Sequence, residues 1–340
     1  MSLSKDFMKI FLEKEPFADV IGQHETKKQV KSALLMGRNI IIVGPSGIGK
    51  TTLAKNVAKL LPDVEVTDGC LYNCDPNDTI CPRCKSLKDK KKKEIKGINR
   101  FIRVQGSPDL TEEDLLGDID PIKALNFGPL SIEAFTPGKI FKANRGVLFF
   151  DELNRCSEKL QNSLLQVLEE KKSTIGSYDV DFPADFIFIG TMNPKDTSTE
   201  TLSDVFLDRF DVIYMGYPES LNIEKEIVIK KGKKEIDFPE DLLDFIISFV
   251  WHLRESDKLE KKPSVRASIG LYERAQANAY LNKRKSVVLD DIKEAVLSVM
   301  AHRIELKPSV KYLQNANEFV EQEFKKFMNN GLESKDGDYR

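Results

Sequence analysis

Apolar positions fall along this chain in two regimes. As far as about residue 216, short continuous apolar runs alternate with polar, glycine-bearing stretches. The runs are Ile40-Ile41-Ile42-Val43, Phe101-Ile102-Arg103-Val104-Gln105, Gly146-Val147-Leu148-Phe149-Phe150, Phe186-Ile187-Phe188-Ile189 and Val212-Ile213-Tyr214-Met215. The runs from Gly146 to Phe150 and from Phe186 to Ile189, without polar alternation, predict strands buried on both faces, as in a parallel sheet, and the other three read as further strands. Between them the spacing turns helical: from Glu25 to Met36, from Thr52 to Leu61, and behind a Ser157 cap, where Leu160, Leu164, Leu165 and Leu168 share a face. Residues 109–140 read as irregular, punctuated by Gly117, Gly128, Pro129, Pro137 and Gly138, and Ser173 to Phe182 reads as a β-hairpin turning at Gly176-Ser177. Past Pro218 the pattern is helical throughout. Pro239 suits a first turn ahead of Leu242, Phe245, Ile246, Phe249, Val250 and Leu253; Ser264 caps a helix to about Leu281; Asp290 or Asp291 opens another through Ile304; Leu313 to Met328 is the last. The expected fold is therefore α/β, a three-layer core on a parallel sheet over 1–217, then a helical domain over 218–330 and a frayed polar tail over 331–340.

Composition narrows the function without naming it. The 340 residues are 41% hydrophobic and 31% charged, enough for a sizeable core, and Lys+Arg 52 against Asp+Glu 54 is nearly balanced. Nothing global argues for nucleic acid or an anionic membrane. No apolar run reaches membrane-spanning length, and Met1 to Glu15 lacks the apolar block of a signal peptide, so a cytoplasmic location is expected. The lysine-rich run from Lys88 to Lys96 is read as a solvated loop ahead of a polyanion-binding patch.

Three sets of residues carry chemistry. Gly44-Pro45-Ser46-Gly47-Ile48-Gly49-Lys50-Thr51 follows a strand and opens a helix, the context a phosphate-binding loop requires. Backbone amides at Gly44, Gly47, Ile48 and Gly49, with Thr52 just inside the helix, would cradle phosphate oxygens; Lys50 would reach the β/γ-phosphates, and Thr51 would offer its hydroxyl to Mg²⁺. Asp151-Glu152 ends a buried strand, where uncompensated acids are costly, which assigns Asp151 to the Mg²⁺ shell and Glu152 to the attacking water. Cys70, Cys74, Cys81 and Cys84 form a four-thiolate set in a polar insertion (69–97) shaped by Pro76 and Pro82. Four sulfurs suit Zn²⁺ first and an iron–sulfur cluster second, with free or redox-active thiols the remaining reading. Cys156 reads as a small core or helix-edge residue.

The segments GPSGIGKT, RVQGSPDLTEEDLLGDIDP, FTPGKIFKANRGVLFFDELNR, GTMNP, LSDVFLDRF and PSVRA, in that order, resemble the AAA+ ATPases of the MoxR and magnesium-chelatase I-subunit branch. The cysteine insertion is closer to the chelatase side, the PDLTEEDLLG and DELNR segments to MoxR. The resemblance implies that Val20, Ile21 and Gly22 line the adenine pocket and that Asn193 is sensor 1, placing the attacking water. It implies that Arg209 is an arginine finger for a neighbouring subunit, the alternative being a surface ion pair. Arg266 would be the sensor 2 arginine, the alternative being a helix cap. Arg145 and Arg155, near the acidic strand, stand evenly between an intersubunit role and structural pairing; for His302-Arg303 a structural role is favoured over catalysis. Residues 109–140 would be the helix-2 insert and 173–182 the pre-sensor hairpin. The function implied is Mg²⁺-dependent ATP hydrolysis in a homo-oligomeric ring, a hexamer, remodelling a protein client: a metal-chelatase complex or a protein with an integrin-type metal-binding domain. A nucleic-acid motor is the rival, against which the balanced charge stands; a non-hydrolysing switch is the third reading, opposed by the intact Glu152, Asn193 and Arg209.

Overall fold

The five apolar runs become the five strands of one parallel sheet. The structure, a computed structural model, describes residues 7, 10–11, 16–79, 81–128, 131–174, 181–194 and 202–336. The strands are β1 (Ile40–Val43), β2 (Phe101–Gln105), β3 (Val147–Asp151), β4 (Ile187–Met192) and β5 (Asp211–Tyr214), in the order β5-β1-β4-β3-β2. All four pairings are parallel. β1 is hydrogen-bonded on both sides, Ile40 standing opposite Ile189 and Asp211, and Ile40, Ile41 and Ile42 are fully buried. Each such side chain contributes about 1.5–3 kcal/mol by leaving water. That is why isoleucine and valine fill the strand without polar alternation.

The longest helices described in the sheet's unit are α1 (His24–Leu35), α2 (Lys50–Leu60), which buries Leu53, Ala54, Val57 and Ala58, and α3 (Glu158–Glu170), which buries Leu160, Leu164, Leu165 and Val167. Ser157 caps α3 as its sequence predicts, its side chain accepting from the Leu160 amide.

Residues 109–140 are not irregular. Thr111 and Asp114 cap each other around the helix Glu112–Leu116; Asp120, with Pro121 in the first turn, caps Pro121–Phe127; and Gly117–Ile119 pairs antiparallel with Phe135–Pro137. Elements this short leave no readable period, and only their caps announce them. The lysine run is likewise not all loop: Lys92–Ile95 pairs antiparallel with Val64–Thr67, its lysines exposed. The hairpin over 173–182 has paired strands Lys172–Thr174 and Asp181–Pro183, while its expected tip at Gly176-Ser177 lies outside the described residues, as does Pro129.

The chain divides into two compact units, one of residues 1–20, 24–44 and 49–215, the other of 21–23, 45–48 and 216–340. The second is built on α4 (Leu221–Lys231), α5 (Glu240–Glu255), α6 (Val265–Leu281), α7 (Leu289–Met300) and α8 (Ala316–Asp336). Its core holds Ile246, Phe249, Val250, Leu253, Leu271, Ala275, Ile292, Val296, Phe319 and Phe324. A buried ion pair ties α4 to α5. The Arg254 guanidinium donates to both Glu224 oxygens, at 2.5 and 2.7 Å, and Trp251 Nε1 donates to the same carboxylate at 2.6 Å.

Two boundaries differ from the sequence reading. α6 has the expected ends, although Ser264 holds its N-cap position without a side-chain cap bond. α7 starts at Leu289, because Asp291 caps from inside by accepting from the Val288 amide at 2.9 Å, and it stops at Met300, ahead of a 3₁₀ turn and the short strand Glu305–Leu306. α8 begins at Ala316, where Asn315 accepts from the Glu318 amide, and runs to Asp336, while 337–340 lie outside the described residues.

Candidate active site

The phosphate loop leaves the C-terminal edge of β1. The Gly44 amide donates to the Met192 carbonyl of β4 at 3.1 Å, which fixes where the chain turns out of the sheet. Gly49 then takes φ 108°, in the left-handed region that favours glycine, and α2 begins at Lys50. Thr51 and Thr52 sit in its first turn, where the helix presents its positive dipole end. Lys50 Nζ donates to the Gly44 carbonyl at 2.5 Å, closing the loop on itself.

β3 delivers the acids to the same edge. Asp151, its side chain 16% exposed, accepts from Thr191 Oγ1 of β4 at 2.7 Å and from the Arg103 guanidinium of β2 at 2.6 Å. Glu152 leaves the strand at φ 56°, ψ 50°, which swings its carboxylate out beyond the sheet edge. There Gln105 Nε2 donates to it at 2.9 Å and Arg155 pairs with it at 3.1 Å, while its backbone amide donates to Thr191 Oγ1 at 3.0 Å. Arg103 also donates to Gln105 Oε1 at 3.0 Å, so the two acids share one network. Gly106 makes this possible: its amide donates to the Asp151 carbonyl at 2.6 Å, and a Cβ there would collide with the Glu152 carbonyl oxygen.

Arg103, Gln105, Thr191 and Gly106 were missed by the sequence reading. A signal existed for two of them. Arg103 and Gln105 are two apart in a strand, hence on one face, and they are the polar positions of an otherwise apolar run.

The remaining expected residues are distributed as follows. Asn193 directly follows β4, and its carbonyl faces Asn154 Nδ2 at 3.4 Å. Arg209 lies behind the short helix Asp204–Leu207, where it is ion-paired to Glu169 and donates to the Val205 carbonyl at 2.6 Å. Within one chain it is thus a surface ion pair. Arg145 is not near the acids. It precedes β3, at the opposite end of the sheet, and its guanidinium donates to the carbonyls of Glu65 and Asn73. Val20 is buried. Within the second unit, Ile21 and Gly22 precede Gln23, whose Nε2 donates to the Gly216 carbonyl at 3.0 Å. In the same unit, the open side of Gly47, which precedes Ile48, faces Ser264 Oγ and the Arg266 side chain. Burial, and then the Arg266 charge, push the Arg303 guanidinium below its ordinary range. Cys70, Cys74, Cys81 and Cys84 gather in the insertion that also contacts Arg145, away from the acids.

Lys50 and the helix start carry positive charge that could hold phosphates, and the Thr51 hydroxyl and Asp151 carboxylate are hard oxygen donors that could hold Mg²⁺. Glu152 presents a partly exposed carboxylate at the same edge.

Comparison with known proteins agrees with that chemistry. Residues 16–73 match the family model for magnesium chelatase, subunit ChlI; residues 87–212 match the ATPase family associated with various cellular activities (AAA); residues 253–323 match the AAA lid domain. A magnesium-chelatase subunit ChlI homolog of Methanocaldococcus jannaschii is 30% identical, over 90% of this chain and 92% of its own. The chloroplastic magnesium-chelatase subunit ChlI-2 of Arabidopsis thaliana is 35% identical, over 64% of this chain and 52% of its own. A structure of the complex between the BchI and BchD subunits of magnesium chelatase is similar at 22% identity and a TM-score of 0.47, over 88% of this chain and 98% of that one. No helix among the described residues is long and apolar enough to cross a membrane. With a parallel five-stranded core, a helical lid and relatives of this kind, the chain belongs to the AAA+ ATPases, in the branch of the magnesium-chelatase I subunit, and is an ATP-hydrolysing enzyme.

Proposed function

We propose that this chain hydrolyses ATP as one subunit of a homo-oligomeric ring, a hexamer, and so remodels or activates a partner protein. The client is a metal-chelatase partner subunit or a protein with an integrin-type metal-binding domain. The observation that carries the reading is the acid pair Asp151 and Glu152 on the sheet edge that also bears Gly44 to Thr51. The curated relatives, described as subunits of magnesium chelatase, support a multi-subunit setting.

In this reading the amides of Gly44, Gly47, Ile48 and Gly49 and the Lys50 ammonium hold the phosphates, with Thr52 in the helix start behind them. Thr51 and Asp151 hold Mg²⁺, which when bound neutralises phosphate charge. Val20, Ile21 and Gly22 hold the adenine. Glu152 orients the attacking water and accepts its proton; to do so it must exchange Gln105 or Arg155 for that water. Asn193 places the water from the end of β4. Arg266, in the sensor 2 role, steadies the phosphates. Arg209, released from Glu169, completes a neighbouring subunit's site, the head-to-tail contact that closes into a ring. The Zn²⁺ expected at the cysteines would take no part in hydrolysis.

The test is complementation. Lys50→Ala and Arg209→Ala chains should each be inactive alone, and mixed rings should regain part of the ATPase rate. Mixed rings that form without recovering activity count against a shared site. The Glu152→Gln chain with ATP should capture the client, and capture of DNA or RNA in its place would favour the motor reading.

A further inference from the structure

The insertion expected to carry metal forms a built site at the end of the sheet remote from the acids. Its frame is the antiparallel pair Val64–Thr67 and Lys92–Ile95, and the four cysteines lie on the chain between them. All four Sγ atoms are within 4.8 Å of one another, with Cys74, Cys81 and Cys84 at 1% exposure. Cys70 Sγ and Cys81 Sγ are 3.8 Å apart. A disulfide would bring two sulfurs to about 2.05 Å. A tetrahedron of Zn–S bonds of about 2.3 Å has an edge of about 3.8 Å. A set this tight encloses one ion and leaves no room for the several irons of a cluster.

Three backbone amides point at the sulfurs, Tyr72 to Cys70, Cys81 to Cys74 and Cys84 to Cys81, each at 3.4 Å. Such donors stabilise charge on sulfur and fix its direction. Arg83 donates to the Gly69 carbonyl at 2.6 Å, tying the two cysteine limbs together. The all-sulfur donor set disfavours Mg²⁺ and suits a borderline-soft ion. Four thiolates on a divalent ion leave a net negative charge, and the neighbouring exposed Lys85, Lys88, Lys91, Lys92 and Lys93 carry the opposite sign.

The loop is also fastened to the sheet. Asn73 Nδ2 donates to the carbonyls of Lys142 and Asn144 at 3.1 Å, and Asn144 Nδ2 donates to the Tyr72 carbonyl at 2.7 Å. Asn144 Oδ1 accepts from the Asp185 amide at 3.1 Å, and the Arg145 amide donates to the Asp185 carbonyl at 2.7 Å. Residues 142–145 lead into β3 and Asp185 leads into β4. We propose that Cys70, Cys74, Cys81 and Cys84 bind one Zn²⁺ as thiolates, and that this knot holds the starts of the two strands that lead to Asp151 and Asn193.

The full chain, purified without added metal or a metal-affinity step, should contain one zinc per chain by elemental analysis and show no visible absorption. A mercurial thiol reagent should release that zinc as four thiols react, and Co²⁺ in its place should give the intense visible bands of a tetrahedral thiolate site. Cys74→Ser with Cys84→Ser should lose the zinc. Iron with visible absorption, disulfides, or free thiols with no metal would each overturn the assignment on the unaltered chain, whether or not the variant folds. Stripping the zinc should lower Tm, and refilling should restore it. An unchanged Tm in the stripped chain would overturn the fastening role. Neither readout depends on ATP hydrolysis.

Discussion

The two ends of the five-stranded sheet use the same residue types to opposite effect. At the C-terminal edge, charged and amide side chains bond mainly to one another: Arg103 to Asp151, Gln105 and Arg155 to Glu152. At the N-terminal end the buried ones bond mainly to backbone. Arg100, almost fully buried, donates to the carbonyls of Arg145 and Pro62, and burial lowers its guanidinium to about 10. Asn144, 3% exposed, is held by the Tyr72 carbonyl and the Asp185 amide. Side chain to side chain bonds at a half-exposed edge can be exchanged for water or substrate at small cost, whereas a buried amide bonded to backbone cannot. One end is arranged to change partners, and the other to keep them.

The sharpest way to break this contrast is Glu152→Gln. ATPase kcat should fall by about 100-fold or more, the range removed with a general base, while Tm stays near that of the parent. A comparable fall in Tm would mean the edge is structural. Next, Asn144→Ala should cost about 1–3 kcal/mol through the buried groups it orphans, read as a lower urea midpoint, with kcat at low temperature nearly unchanged. A large loss of kcat in a stable protein would break the contrast from the other side. Gln105→Ala should alter kcat by only a few-fold, upward, because it frees Glu152 from one restraint worth about 0.5–1.5 kcal/mol; a hundredfold loss would make Gln105 part of the chemistry. The smallest effect is expected for Arg145→Lys. It keeps the charge but loses the fork that reaches the Glu65 and Asn73 carbonyls, so its stability cost should be about 1 kcal/mol or less with no change in kcat.

Much of this was legible because it is local. Ile40 to Val43 form an apolar run and so read as a strand; Gly44 to Thr51 is a contiguous motif; Asp151 and Glu152 stand at the end of an apolar run. The short helices over 109–140 were not legible, since a helix as short as Glu112–Leu116 has no period to detect. Arg145 was placed beside the acids from its nearness in sequence to β3, but a five-residue strand separates the two ends of its own element. Thr191, which bridges Asp151 and the Glu152 amide, comes from a strand distant in sequence; it stands in the GTMNP segment, but nothing there says which acid it meets.

The sequence by itself determined the strand set, the phosphate loop, the acid pair and a sulfur-rich insertion, because hydrophobic periodicity and contiguous motifs are short-range properties. Only the tertiary structure decided which side chains meet. Parallel pairing of β2, β3 and β4 brings Gln105, Asp151 and Thr191 to one edge and sends Asn144, Arg145 and Asp185 to the other. Parallel pairing is a long-range property, fixed by which strands pack side by side, and it separates an exchangeable acid network from the fastened end beside the cysteines.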